Sequence, residues 1–499
     1  VLSCALVGGH TVVIAADRTT PIASLPTAVT AVKPPIASRG RSYQNFVQDF
    51  NSISAATKPL VMLPDKVPST STASSSSSSG SSSSSSGKSP ATSGTGVSSV
   101  NTSVSLPDTS AVTAPSISNL DSRLRVPPPS PIRLHNRLFE GDRQGAPIVP
   151  REVVAMGTSA AALASIKTRG YSVVRERTLE PLDIKVVVLR PPLTLSTIEA
   201  LDTLRAIDPE GTYDFNHLYA ESDATLASES VPGPAVTAPL PEPAAGSAPV
   251  RIGLIDSGVE ASHPAFESTR ITSWGCEGNP VASAHGTAVA SLMVGGAGAF
   301  RGVMPRAHLY SADIYCKSPS GGSATAILDA LAWFAGEKVT VINMSLVGPH
   351  NAMLERAVAA MIKRGHVIVA AVGNDGPSAP PLYPAAYPNV VAVTGVDARL
   401  RVLPEACRGP HVTFAGPGAE MAAATTGHRY STVRGTSYAS PIVAAILART
   451  LAAPDHLSPM EALFAMAQRA IDLGAPGRDP VYGYGVIGAQ YRIGLAALN

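Results

Sequence analysis

The chain has 499 residues, an apolar fraction of 44% and a net charge of +2 without any basic run. That length supplies two or three domains with sizeable cores, and the interspersed, near-neutral charge excludes nucleic acid or an electrostatically held membrane as a partner. The four cysteines, Cys4, Cys276, Cys316 and Cys407, lack the paired spacing of a zinc site, so no metal centre is expected from them. Three fall in the C-terminal half, where at most one pair can form, and buried free thiols are the ordinary state of such residues.

Residues 1–31 open with "VLSCALVGGHTVVIAA", read as an export signal or an apolar N-terminal segment. It points to a secreted or periplasmic protein, with membrane anchoring through this segment as the alternative. No later run reaches the ~20 apolar residues needed to span a bilayer. Residues 32–149 are expected to be a low-complexity Ser/Pro-rich disordered region. Within it, 68–118 is mostly Ser, Thr, Gly and Ala and cannot bury enough apolar area to offset its ordering entropy.

Residues 150–220 alternate in type. "EVVAM" reads as a strand and "TSAAALASIKTRG" as a helix stopped at Gly170. "YSVVRER" and "DIKVVVLR" read as strands, "STIEALDTLRAI" as a helix opened by a Ser196/Glu199 capping box, and "YDFNHLY" as a last strand. The order is βαββαβ, a small α+β module. Residues 221–248 form a Pro/Ala-rich linker.

From 249 to 499 near-continuous apolar strands ("VRIGLID", "AHLYSADIY", "VTVINMSL", "HVIVAAVGN", "VVAVTGV") are separated by helical patterns. This predicts an α/β domain with a parallel sheet covered by helices on both faces. Functional groups in such a sheet gather beyond the carboxyl ends of its strands. Four polar residues stand at such boundaries: Asp256 in "GLIDSGVEASHPAF", His285 in "SAHGTAVASLMVGG", Asn374 in "IVAAVGNDG" and Ser437 in "RGTSYASPIVAA". Singly, each is ordinary turn or helix-cap chemistry. Together they supply an orienting carboxylate, a base, an oxyanion donor and a nucleophile.

With these motifs in this order, the block resembles the subtilisin-like serine peptidases (subtilases, peptidase family S8). The chain order Asp, His, Ser argues against an α/β-hydrolase. The resemblance implies a subtilisin-like fold and a serine endopeptidase acting through an Asp256–His285–Ser437 triad, with Asn374 in the oxyanion hole. It implies protein or peptide substrates, no cofactor for the chemistry, and structural calcium as a family habit for which the sequence offers no ligand cluster. It also implies a cleft lined by Ser345, Leu346, Val347, Gly348, Ala371, Gly373 and Leu382. Val347 and Leu382 replace smaller residues around the pocket for the residue before the cut bond, which predicts a shallow apolar pocket preferring small side chains. Ala288 and Tyr438 depart from the usual HGTH and GTSMA without removing a catalytic group. Residues 150–220 match the order of a subtilase propeptide-like inhibitor domain, so the chain's own N-terminal module is an expected partner and the precursor is expected to be autoinhibited. A Cys276–Cys316 disulfide is compatible with the family strand order. The rival readings are a dedicated peptide-processing or transpeptidating enzyme of the same fold, and a non-catalytic binding protein.

Overall fold

The computed structural model describes residues 42–56, 132–134, 137–222, 250–318, 321–452 and 457–498. Residues 1–31, the Ser-rich stretch 68–118 and most of the Pro/Ala-rich linker lie outside the described residues. The reading of 32–149 as disordered needs correction at two places. Helix α1 (Tyr43–Ala56) is ordered, and so are strands β1 (Ile132–Leu134) and β2 (Arg137–Gly141), which pair antiparallel. The reason for α1 is local: Phe46 and Phe50, one helical turn apart, are 0% and 2% exposed. A helix this short is marginal by itself and is held by what its aromatic stripe touches.

The small block continues with β3 (Pro147–Met156), α2 (Ala160–Thr168), β4 (Ser172–Leu179), β5 (Ile184–Arg190), α3 (Thr197–Ile207) and β6 (Thr212–His217). The capping box at Ser196 and Glu199 is formed. The sheet runs β1-β2-β3-β5-β4, with β6 on β3. The inner strands β3 and β5 are apolar on both sides because both sides are covered, whereas β4 is largely exposed. Val153, Ala155, Val187 and Leu189 pack on α2 and α3. Val154, Met156 and Val186 face the other way and join a core of the large block. A two-residue strand, β7 (Ala220–Glu221), follows.

The large block opens with β8 (Arg251–Asp256), β9 (Arg270–Trp274) and α4 (Ala284–Val294), then the short hairpin β10 (Gly296–Ala297) and β11 (Phe300–Arg301). Next come β12 (His308–Asp313), α5 (Ala324–Gly336), β13 (Val341–Met344), β14 (Leu346–Val347), α6 (Ala352–Lys363), β15 (Val367–Ala371) and β16 (Val391–Val396). β17 (Val412–Pro417), the hairpin β18 (Ala419–Thr425) and β19 (Arg429–Arg434), α7 (Thr436–Leu451) and α8 (Pro459–Arg469) complete it. Seven strands form one sheet in the order β17-β16-β15-β13-β8-β12-β9, with every pairing parallel. One face carries α4 and α7; the other carries α5 and α6, and against these lies the small block. This is the predicted two-face coverage.

Cys276 and Cys316 form a disulfide with Cα atoms 5.2 Å apart, joining the segments after the neighbouring strands β9 and β12. The free-thiol expectation is therefore corrected for this pair and holds for Cys407, which is buried and free. The pairing follows from strand order, which brings together residues 40 apart in the chain.

Candidate active site

Asp256 is the last residue of β8 and fully buried. Its Oδ1 accepts from the Ser257 backbone N–H at 2.7 Å and from His285 Nδ1 at 2.8 Å. His285 is the second residue of α4, so the helix start fixes the ring beside the end of the strand. Ser437 is likewise the second residue of α7. Four positions on, Pro441 has no N–H to return to the Ser437 carbonyl. Ser345 fills that gap: its hydroxyl donates to the Ser437 carbonyl oxygen at 2.9 Å and itself accepts from Asn343 Nδ2 at 2.8 Å. The helix mouth is thus braced from β13.

The Ser437 hydroxyl donates to the backbone carbonyl oxygen of Ser222 at 2.8 Å. Asn374 accepts from the Thr436 N–H at 3.1 Å and donates from Nδ2 to the Ser222 hydroxyl at 3.0 Å. Ser437 and Asn374 therefore meet the end of the small block directly, and the Asp256–His285 pair lies beside Glu221. The two residues before Ser222 form β7, which pairs antiparallel with β14, Glu221 opposite Leu346 and Ala220 opposite Val347. The Ser222 N–H reaches the Ser345 carbonyl at 3.4 Å, and on the other side the Tyr219 N–H donates to the Gly322 carbonyl at 2.8 Å. Residues 219–222 are an extended peptide held between two segments of the large block, a form of strand addition.

Side-chain pockets follow the same register. Tyr219 is fully buried, its hydroxyl donating to the Pro349 carbonyl at 2.8 Å. Gly348 makes room for it: a Cβ there would stand 2.4 Å from the Tyr219 ring. At Gly373 a Cβ would meet Leu382, Cys407 and Val347 at 2.5, 3.3 and 3.4 Å. Those three side chains converge on one point beside Gly373. Ala371 ends β15 and is fully buried. Tyr438 is 3% exposed with its ring centroid 5.6 Å from that of His285. Burial, followed by the carboxylates of Asp256 and Glu221, pushes its phenol well above the ordinary range, so it stays neutral.

Two clusters among the described residues bring three ligating groups together. In Cys276–Asp313–Cys316 the sulfurs are already joined as a disulfide. In Glu221–Asp256–His285 the atoms lie within 4.8 Å of one another, but the Asp256–His285 hydrogen bond already uses that pair. Sequence reasoning missed Tyr219, Glu221, Ser222 and Cys407. No local motif marks them; their place depends on strand pairing between distant segments.

A hydroxyl directed at a carbonyl, an imidazole tied to a buried carboxylate and an amide donor beside them are the parts of nucleophilic acyl transfer. The family model of the subtilase family matches residues 247–485. Subtilisin DY of Bacillus licheniformis is 32% identical over 249 residues, 48% of this chain and 89% of that protein. The minor extracellular protease Epr of Bacillus subtilis (strain 168) is 30% identical over 251 residues, 49% of this chain but only 38% of that protein's length. Among solved structures, fervidolysin from Fervidobacterium pennivorans, described as a keratinolytic enzyme related to subtilisin, shares the fold. Its TM-score is 0.59 at 19% identity, over 70% of this chain and 61% of that one. The chain belongs to the subtilase family.

Proposed function

We propose that this chain is a serine endopeptidase made as an autoinhibited precursor that cuts its own Ser222–Asp223 bond. The observation that carries the reading is the 2.8 Å hydrogen bond from the Ser437 hydroxyl to the Ser222 carbonyl, at the end of a peptide paired with β14. His285 takes the Ser437 proton as the oxygen attacks the carbonyl carbon, while Asp256 holds the imidazole in the productive tautomer. Asn374 Nδ2 and the Ser437 N–H receive the developing oxyanion. The tetrahedral intermediate collapses, the proton passes from His285 to the departing Asp223 amine, and water then hydrolyses the acyl-enzyme. The reading calls for no cofactor.

Ser222 is then the residue before the cut bond, and its small size suits the pocket closed by Val347, Leu382 and Cys407. Residues 150–220, extended to Ser222, act as the inhibitor. Two of their side chains support this by capping helices of the large block. Asp214 accepts from the Ala352 N–H at the start of α6 at 2.8 Å, and Asn216 accepts from the Thr325 N–H at the start of α5 at 3.1 Å. The Cys276–Cys316 disulfide favours an oxidising compartment outside the cytosol, in line with the extracellular relative. No described helix is long and apolar enough to cross a membrane.

The test is intact-mass analysis and fluorophosphonate labelling of the purified protein. Wild type should yield a fragment beginning at Asp223 and label at Ser437; Ser437→Ala should do neither. Asn374→Ala should slow turnover by about 10²–10³, the loss known for a subtilisin oxyanion-hole asparagine. A wild-type chain that stays intact and unlabelled overturns the proposal.

A further inference from the structure

The peptide ending at Ser222 is extended, so successive side chains leave it on opposite sides. The Ser222 hydroxyl takes the Asn374 side, where it accepts from Nδ2 at 3.0 Å. Glu221 takes the other side, its backbone paired opposite Leu346. The half-buried Glu221 carboxylate lies with the buried Asp256 and His285 in a set whose ligating atoms are all within 4.8 Å of one another. Asp256 Oδ1 already holds His285 Nδ1 at 2.8 Å, so the ring needs no second carboxylate to orient it. The buried, neutral phenol of Tyr438 packs against the same imidazole and brings no charge.

We propose that the cleft selects an acidic side chain at the second residue before the cut bond, because its carboxylate stabilises the His285 imidazolium formed during acylation. This inference rests on the endopeptidase reading, with Ser222 as the residue before the cut. While His285 is neutral, a carboxylate at this place meets only the like charge of Asp256 and gains nothing. Once His285 holds the Ser437 proton, a cation stands within reach of both carboxylates. The opposite charge, the oxyanion, develops on the Asn374 side, away from Glu221. The attraction therefore exists in the transition state and not in the ground state, which is the condition for raising a rate. No bond is added to the reaction: the Ser437 proton still passes to His285 and then to the departing amine. Glu221 holds this place in the precursor, and peptides cut in trans would carry glutamate there and a small residue directly before the bond.

The experiment uses the full chain after Asp223 has appeared as a new N-terminus. Two peptides carrying the 219–223 sequence, one native and one with glutamine in place of Glu221, compete in one solution. The ratio of their kcat/KM values is then independent of how much of the cleft the small block occupies. The glutamate peptide should be cut about tenfold faster, the effect of one partly screened charge pair. Measured singly, the two should differ in kcat and not in KM, and the difference should shrink in high salt. In the precursor, Glu221→Gln should slow the appearance of Asp223 by a similar factor. Equal rates for the two peptides overturn the proposal, as does a difference confined to KM. A difference abolished by EDTA also overturns it, by assigning the effect to a metal ion held by the same three residues. Failure to cut either peptide instead counts against the proposed function.

Discussion

At the scale of single residues, the proposed preference for a small residue before the cut bond rests on Val347 and Leu382. Both carbon side chains reach to within 3.4 Å of the space a Cβ on Gly373 would occupy, and in the proposed reading they limit the depth of the pocket. Single methylene differences in an apolar pocket are worth about 1–3 kcal/mol, or 10–200-fold in kcat/KM. Val347→Gly with Leu382→Gly should therefore raise the ratio of cleavage after Phe to cleavage after Ala by ~10². Competition between two peptides differing only at that residue measures it. A wild-type preference for Phe would refute the shallow-pocket argument. Tyr438 plays a different part: neutral, buried and beside His285, it fills volume next to the imidazole without adding charge.

At the scale of elements, the small block meets the large block at helix starts, and the proposed inhibition draws on those contacts. Asp214 and Asn216 sit in β6 and satisfy backbone donors of α6 and α5 that a helix leaves open at its N-terminus. Losing such a cap costs about 1 kcal/mol, so Asp214→Ala/Asn216→Ala should weaken inhibition of the processed enzyme about tenfold or more, seen as a shorter lag with unchanged final rate. Elements also show where the sequence was legible. Strand ends and helix starts carry local signals, so Asp256, His285, Asn374 and Ser437 could be found without coordinates, and so could the capping box at Ser196 and Glu199. Helix α8 carried an equally local signal, Ser458 and Glu461 around Pro459, which went unread. Ser222 in the cleft was not legible, because β7 meets β14 only through pairing between segments more than a hundred residues apart. Helix α1 was hidden by the composition around it, although Phe46 and Phe50 already stood one helical turn apart.

At the scale of the whole molecule, a buried histidine far from any motif contributes a pH-dependent term to stability. His411 is 1% exposed, and neither ring nitrogen has a hydrogen-bond partner among the described residues. Burial first, and then the Arg478 guanidinium, lower its pKa to about 4. An unfolded chain restores a value near 6.5, so between about pH 6.5 and 4 the unfolded state binds the extra proton and the folded state does not. The contribution to stability is complete above the unfolded value and is lost as pH falls toward the folded one. From pH 7 to 4.5 it amounts to on the order of 2 kcal/mol. Protonation would also place a second cation near Arg478, the residue that reaches Asp49 on α1. In a Ser437→Ala background, which removes self-digestion, His411→Leu should flatten the fall in denaturation midpoint between pH 7 and 4.5 relative to its parent. Parallel pH profiles for the two proteins would show that the acid sensitivity resides in the carboxylates and not in this buried imidazole.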